Sequence, residues 1–326
     1  MPEVTIAPPS DVPNPLPVER RHRLSTGSDA AYWSVLYIVS GVVAVVVAGF
    51  LLTIIISSIP AWQKHGLSLI YGTTWDATTN QYGAFPIIAG TIETTAIALI
   101  LAVPVGLGTA LAIVHLIPGR IRVVLSSLVE LLAAVPSVVY GLWGVFVLVP
   151  WFSATVQPRL TSLFGGHFPF QAPAEGYSVL LAGCVLFVMV LPLVVALSRD
   201  VIAIVPNEQV EGALSIGATK WQVIRKVVLP GARTGIIGAI TLATARALGE
   251  TIAVAMVIGN NPLFPKSLNS PGSTLASIIA VQFDGSTSDQ FASLFALAVI
   301  LMAITASVNW IGRRLVRRAA VRAGAV

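Results

Sequence analysis

The chain has 326 residues, 56% of them hydrophobic and only 10% charged, with a net charge of +5 and a mean hydropathy of +0.86. A soluble globular protein carries about 25% charged residues, so this composition excludes that class and describes a polytopic membrane protein. The basic balance does not imply a nucleic-acid partner, because the Lys and Arg residues cluster beside apolar stretches, as membrane topology requires. The single cysteine, Cys184, excludes intrachain disulfides and a cysteine-based metal cluster.

In chain order, residues 1–30 are rich in proline and polar residues, with Arg20, Arg21 and Arg23 just before the first apolar run. They read as a disordered cytosolic tail. A helix needs about 20 apolar residues to cross a bilayer. Six stretches within a transmembrane domain of residues 31–312 meet that length: 32–58, 88–115, 122–151, 176–198, 235–259 and 290–311. Pro104, Pro136 and Pro192 interrupt three of them, which membrane helices tolerate where neighbours or water satisfy the freed carbonyl. Residues 313–326 form a basic cytosolic tail. The connections sort by charge: only Lys64, Arg159 and Lys266 fall on one side of the six spans, and the remaining clusters fall on the other. The positive-inside rule then puts both termini in the cytosol. Trp33, Trp62, Trp151 and Trp310 fall near span ends, as interfacial aromatics do. Trp62 and Trp75 lie in a first outer loop long enough to offer surface to an external partner.

The loop of residues 200–234 is the most informative polar segment. Pro206 stops what precedes it, Asn207 is a suitable N-cap, and Glu208 and Glu211 occupy the first turns, where carboxylates suit the helix dipole. Gly217 closes this helix as the residue after the cap, where positive φ costs glycine least. Thr219 and Gln222 then form a capping box for a second helix. That helix carries Lys220, Arg225 and Lys226, and Pro230 marks its end or a bend into the fifth span. Two short helices at a sharp angle, joined directly to a span, make either an interfacial hairpin or a docking element that passes force into the membrane.

The spacing Glu211-Gly212-Ala213, three residues, Gly217, nine residues, Val227-Val228-Leu229-Pro230 resembles the EAA loop of bacterial ABC importer permeases. Gly212 and Val227 depart mildly from the family's alanine and isoleucine. The resemblance implies an all-α integral membrane fold of six transmembrane helices with the ABC importer permease (MetI-like) architecture. In it, the loop is a cytosolic coupling helix seated in a cleft of the ATP-hydrolysing subunit. Tyr82–Thr95, Glu130–Gly144, Arg246–Asn260 and Thr274–Ala280 further resemble the phosphate-specific permease of the PstC type. The likeness covers roughly residues 32–315. It implies a complex with a PstA-like permease, two PstB-like ATPase subunits and an external PstS-like phosphate-binding protein. The PstA type shares the R-A-L-G-E-T segment, so a PstA-type permease or a carrier of another oxyanion is the alternative. An ion-coupled secondary transporter is the rival from a different class.

Arg246 lies ten residues into the fifth span, about 15 Å deep at 1.5 Å per residue. An arginine at helix centre costs roughly 2.5–3.5 kcal/mol on insertion scales. Glu250 is its i+4 neighbour, and the favoured order places the acid first, so the reversed order argues against a simple helix staple. Glu130, nine residues into the third span at similar depth, is a second candidate partner across the helix interface, and Glu93 lies nearer the outer side. An ion-pair network that fixes helix register is one reading. The other makes Arg246 a transient anion site, with Glu250 or Glu130 holding it between anions. Thr244 and Thr251 are expected to satisfy backbone carbonyls.

No phosphate-cradling G-x-x-x-x-G-K-[ST] segment occurs, so ATP is expected on a partner and the chain is read as a transporter subunit with no catalytic residue or cofactor. Gly106–Ala110 is expected to serve helix packing. His22, His65, His115 and His167 give no metal-ligand spacing.

Overall fold

The computed structural model describes residues 26–322 apart from 172–174 and 285, with side chains described from Ala31 to Val321. The expected tail is therefore outside the described residues up to position 25, and its last five positions already belong to a helix. Among the described residues, six helices are long and apolar enough to cross a membrane: Ala31–His65, Phe85–Leu116, Ser137–Leu163, Val179–Ala203, Lys220–Leu248 and Ser288–Val321.

The chain divides into two compact units, one ending at Thr53 and the other running from Ile54 to the end. The described part of the first belongs to α1 (Thr26–His65), whose valine-rich turns, including Val42, Val45 and Val46, are exposed. In the second unit α1 is followed by a short turn, α2 (Ser68–Tyr71), and a two-residue hairpin, β1 (Trp75–Asp76) with β2 (Gln81–Tyr82). Trp75 is buried there. Its Nε1 donates to Gln282 Oε1 at 2.9 Å and its ring meets Tyr82 edge-on. Trp75 is thus a core residue rather than partner-facing surface.

Next come α3 (Phe85–Leu111), α4 (Gly119–Ala134) and α5 (Ser137–Trp143), then α6 (Val149–Trp151) and α7 (Gln157–Leu163). The expected third span, 122–151, is corrected. The helix breaks at Val135, which is extended with ψ 129° because the following Pro136 disfavours the helical region. The crossing helix runs instead from Ser137 to Leu163, and α4 is a separate helix before it. Pro104 and Pro192 lie inside their helices. Four π-helical turns, Ala112–Leu116, Gly144–Leu148, Phe152–Val156 and Ile224–Val228, each end within two residues of a proline: Pro118, Pro150, Pro158 and Pro230. A proline ring clashes with the carbonyl four residues back, and at Pro150, Pro158 and Pro230 a widened turn relieves that clash without breaking the rod, whereas the helix ends at Leu116 before extended Ile117 and Pro118.

α8 (Val179–Ala203) begins at the Ser178 cap, whose side chain accepts from Leu181 N–H at 3.2 Å. It is the most buried crossing helix and lies against α3. A Cβ on Gly183 would stand 2.6 Å from Ile97, and one on Gly106 would stand 2.7 Å from Val194. Small residues therefore allow close approach, as membrane helix pairs require without a strong hydrophobic drive between them. The two contacts advance together along both chains, so α3 and α8 are parallel, which fits one crossing between them. α9 (Asn207–Ser215), α10 (Lys220–Val223), α11 (Leu229–Leu248), α12 (Ile252–Val257), α13 (Leu275–Gln282) and α14 (Ser288–Arg322) complete the order. The basic segment expected as a tail from 313 is helical to Arg322, and Arg314 lies 3.6 Å over the Trp310 ring.

Candidate functional site: a helix break beside Arg246 and a rooted two-helix loop

The expected fifth span, 235–259, is also corrected. α11 stops at Leu248 and Gly249 caps it, with its N–H donating to Ala245 O at 3.3 Å. Glu250 N–H reaches only Ala247 O, at 3.4 Å, and Thr251 precedes the new helix α12. Gly249, Glu250 and Thr251 therefore leave the helix in mid-chain. Unwound backbone at membrane depth is tolerated where protein or a water-lined cavity satisfies it, and such breaks are where transporters bind polar cargo.

Arg246 sits on the last turn before the break and is exposed in this single chain, while Glu250 is half-buried. They are not joined by an ion pair, and among the described residues no carboxylate pairs with Arg246. An i,i+4 pair needs a helix that continues through Glu250, and α11 ends two residues earlier. Tyr140 of α5 donates from Oη to Leu132 O at 2.9 Å, across the Pro136 break. α5 and α12 pack together, so the discontinuities that precede them, at 135–136 and at 249–251, share one neighbourhood. α12 lies against α5 there, since a Cβ on Gly141 would stand 2.6 Å from Met256 Sδ.

Glu130 is not a partner for Arg246. Its Oε1 is 3.1 Å from Arg199 Nη2, which also bonds Asp200 Oδ1 at 2.9 Å. Arg199 lies near the C-terminal end of α8, so this pair ties α4 to the basic end of the protein. Sequence reading missed Arg199 because nothing in the spacing relates position 199 to 130. Glu93 is half-buried on α3. Thr244 donates to Ile240 O at 2.8 Å and Thr251 to Gly249 O at 3.1 Å, the backbone role expected of them.

The polar loop folds as two helices. α9 begins one residue from the expected cap: Pro206, with φ fixed at −59°, takes the N-cap position and Asn207 becomes the first helical residue. Gly217 has φ +88°, its N–H donates to Leu214 O at 3.0 Å, and Ala218 N–H donates to Ala213 O at 3.1 Å. These two bonds define a Schellman ending. The Thr219–Gln222 capping box is formed in both directions, at 3.3 and 2.8 Å. Pro230 neither ends the helix nor stops the chain: the π turn before it carries α10 into α11 as one rod.

Glu211, Gly212 and Gly217 are exposed, Ala213 and Leu229 are half-buried, and Pro230 is exposed. Val223, Ile224 and Val228 are buried. Val223 and Val228 share a cluster with Ala110 of α3, Ile202 of α8, and Ala232 and Ile236 of α11. Each such side chain contributes about 1.5–3 kcal/mol when fully buried, so the second helix is rooted against α3 and α8 as well as in its own continuation, α11. The outward face carries Leu214, Ile216 and Trp221, with Ile216 84% exposed. Apolar residues beside Gly217 in an otherwise polar loop were the sequence signal for this face.

The chain resembles known proteins over most of its length. Residues 102–321 match the family described as binding-protein-dependent transport system inner membrane component. The phosphate transport system permease protein PstC of Mesorhizobium japonicum is 37% identical over 97% of this chain and 100% of its own length. PstC of Haemophilus influenzae is 38% identical over 85% of this chain and 89% of its own. Among solved structures, the inward-facing MetNI methionine ABC transporter aligns with a TM-score of 0.54 at 19% identity, covering 72% of this chain and 95% of that one. A bacterial ABC transporter involved in import of the acidic polysaccharide alginate aligns at 0.51, with 19% identity, covering 86% and 98%. The structural likenesses establish the MetI-like permease fold, and the family implies ATPase and binding-protein partners. The chain belongs to the binding-protein-dependent transport system inner membrane component family, as a multi-pass transporter subunit of the PstC-type permease group.

Proposed function

We propose that the chain is the membrane permease of an ATP-driven importer of inorganic phosphate. The observation that carries this reading is the 37% identity to a phosphate permease across nearly the whole chain. Its partners are a PstA-like permease, two PstB-like ATPase subunits and an external PstS-like phosphate-binding protein. The positive-inside rule puts both termini and the α9–α10 loop in the cytosol.

In this reading the ATPase docks on the loop around Glu211–Gly217, with Leu214, Ile216 and Trp221 on the contact face. Closure of the ATPases displaces α9 and α10. The buried Val223 and Val228 pass that displacement to α3, α8 and α11, and Leu229 and Pro230 keep the rod continuous. The permease pair then opens outward and receives the anion from the binding protein. Arg246, with no carboxylate partner among the described residues, meets the anion at mid-depth. Half-buried Glu250 weakens that well so that the anion can leave, because conduction needs sites that both accept and release. Glu130 holds Arg199 at the cytosolic side of the same pathway. The test is uptake of radiolabelled phosphate by the reconstituted complex, with sulfate and molybdate as competitors. Uptake independent of ATP, or driven by a proton gradient, would overturn the reading.

A further inference from the structure

A cavity of about 360 Å³ lies between α11 and α14, away from the helix break, and the functional reading leaves it unused. Gly238 and Leu242 line it from α11, and Asn309, Arg313, Val316 and Arg317 line it from α14. Gly238, Leu242 and Arg246 are spaced by four residues, so they share one stripe of α11. That stripe is open: Leu242 is 53% exposed, Arg246 is exposed, and nothing lies within 4 Å of a Cβ added to Gly238. Eight residues separate Gly238 from Arg246, about 12 Å along the axis. The stripe therefore leads from Arg246 to the cavity at the basic end.

Two arginines, Arg313 and Arg317, line the cavity, and no acidic residue does. Among the described residues neither Arg313 nor Arg317 has an ion-pair partner. Their neighbour Arg314 is different, being stacked on Trp310 outside the cavity. Topology alone asks for positive charge on this side of the membrane and does not ask that two of the arginines line one groove. Asn309, half-buried on the same wall, adds an amide that can donate to an oxyanion.

We propose that Arg313 and Arg317 form a second station for the phosphate anion, on the release side of Arg246. The proposal rests on reading phosphate as the cargo and Arg246 as its mid-membrane contact. An anion leaving Arg246 faces a steep loss of attraction unless another positive site lies ahead, and serial sites of moderate strength are how conduction avoids a trap. The second station is nearer water, where guanidinium charge is better screened, so it accepts the anion and releases it. An anionic lipid headgroup presents the same phosphate chemistry to the same arginines, so the experiment separates the two sources.

The complete complex is reconstituted with ATP inside vesicles, once in phosphatidylcholine alone and once with phosphatidylglycerol added. Labelled-phosphate turnover at saturating loaded binding protein is compared for wild type, Arg313→Gln/Arg317→Gln, Arg313→Lys/Arg317→Lys and Gly238→Leu. The expected result, in phosphatidylcholine alone, is a turnover lower by about threefold or more in the double Gln variant, with rescue by Lys. Gly238→Leu, which fills the cavity from the other helix, reproduces the loss. Wild-type turnover in the double Gln variant overturns the proposal, as does a deficit that appears only with phosphatidylglycerol, which assigns the groove to lipid. If the double Gln variant fails to assemble, full turnover in Gly238→Leu overturns the proposal and reduced turnover supports it. Absence of phosphate uptake in the wild-type complex is a different failure: it removes the phosphate reading itself.

Discussion

Replacing Gly217 isolates the backbone from everything else in the coupling loop. Its φ is +88°, and no heavy atom lies within 4 Å of where a Cβ would be placed. A side chain there meets open space, so its cost is conformational alone. An L residue in the left-handed region loses about 1–2 kcal/mol, and Asn less because its side chain bonds locally. At 1.4 kcal/mol per tenfold, Gly217→Val then shifts the balance between closed and opened Schellman ending by about fivefold to thirtyfold. The opened ending releases the Gly217–Leu214 and Ala218–Ala213 hydrogen bonds and changes the angle between α9 and α10. If the ATPase binds only the closed loop, its affinity falls in proportion to the closed fraction, by at most the same factor. The assay is the affinity of immobilised ATPase for the purified permease pair carrying Gly217, Gly217→Asn or Gly217→Val. The expected order is Gly, then Asn, then Val, with Asn within about threefold of wild type. Wild-type affinity for Gly217→Val, or equal loss for Asn and Val, would refute the reasoning.

Arg246→Gln removes a charge that makes no ion pair among the described residues, so the complex is expected to assemble normally while phosphate uptake is lost; full uptake would remove Arg246 from the pathway. Glu130→Gln breaks a solvent-facing pair with Arg199, worth about 0–1 kcal/mol, and Arg199 keeps Asp200; thermal stability of the complex is expected to change little, and a large loss would mean the pair is buried by the partner permease. Ile202→Ala hollows the cluster that roots the second loop helix, with an expected loss of about 2–5 kcal/mol; a lower melting temperature together with fewer phosphates carried per ATP hydrolysed would show that rooting transmits force. Asp76 lies outside the spans, and hydrogen bonds from the Thr78 hydroxyl, the Thr78 N–H and the Thr79 hydroxyl hold its carboxyl below the ordinary 3.8. The stabilisation of the hairpin turn is therefore present above that ordinary value and is lost as pH falls through the lowered one. Hydrogen exchange over residues 75–82 should quicken in that acid window in wild type and show no such step in Asp76→Asn.

Much of the loop was legible without coordinates. Gly217, Thr219 and Gln222 act through backbone bonds within a few residues, so local chemistry was sufficient to place the Schellman ending and the capping box. Apolar length likewise identified the crossing segments, because a bilayer imposes one length on every span. What hydropathy cannot register is a break inside an apolar run. Val135-Pro136 and Gly249-Glu250-Thr251 interrupt helices without lowering hydropathy enough to mark an end. The first is set locally, by Pro136 and by Tyr140 bridging back to Leu132, and the second lies beside the packing of α12 on α5, where Gly141 admits Met256.

The sequence by itself determined a six-span membrane protein, its charge asymmetry and a two-helix loop, since each follows from composition or from contacts a few residues apart. Only the tertiary structure decided which charges meet. Glu130 and Arg199 are 69 positions apart and bond, whereas Arg246 and Glu250, four apart, are separated by the end of a helix. Pairing of charges depends on where helices stop and on which faces they turn to one another, and those are properties of the packed bundle rather than of spacing along the chain.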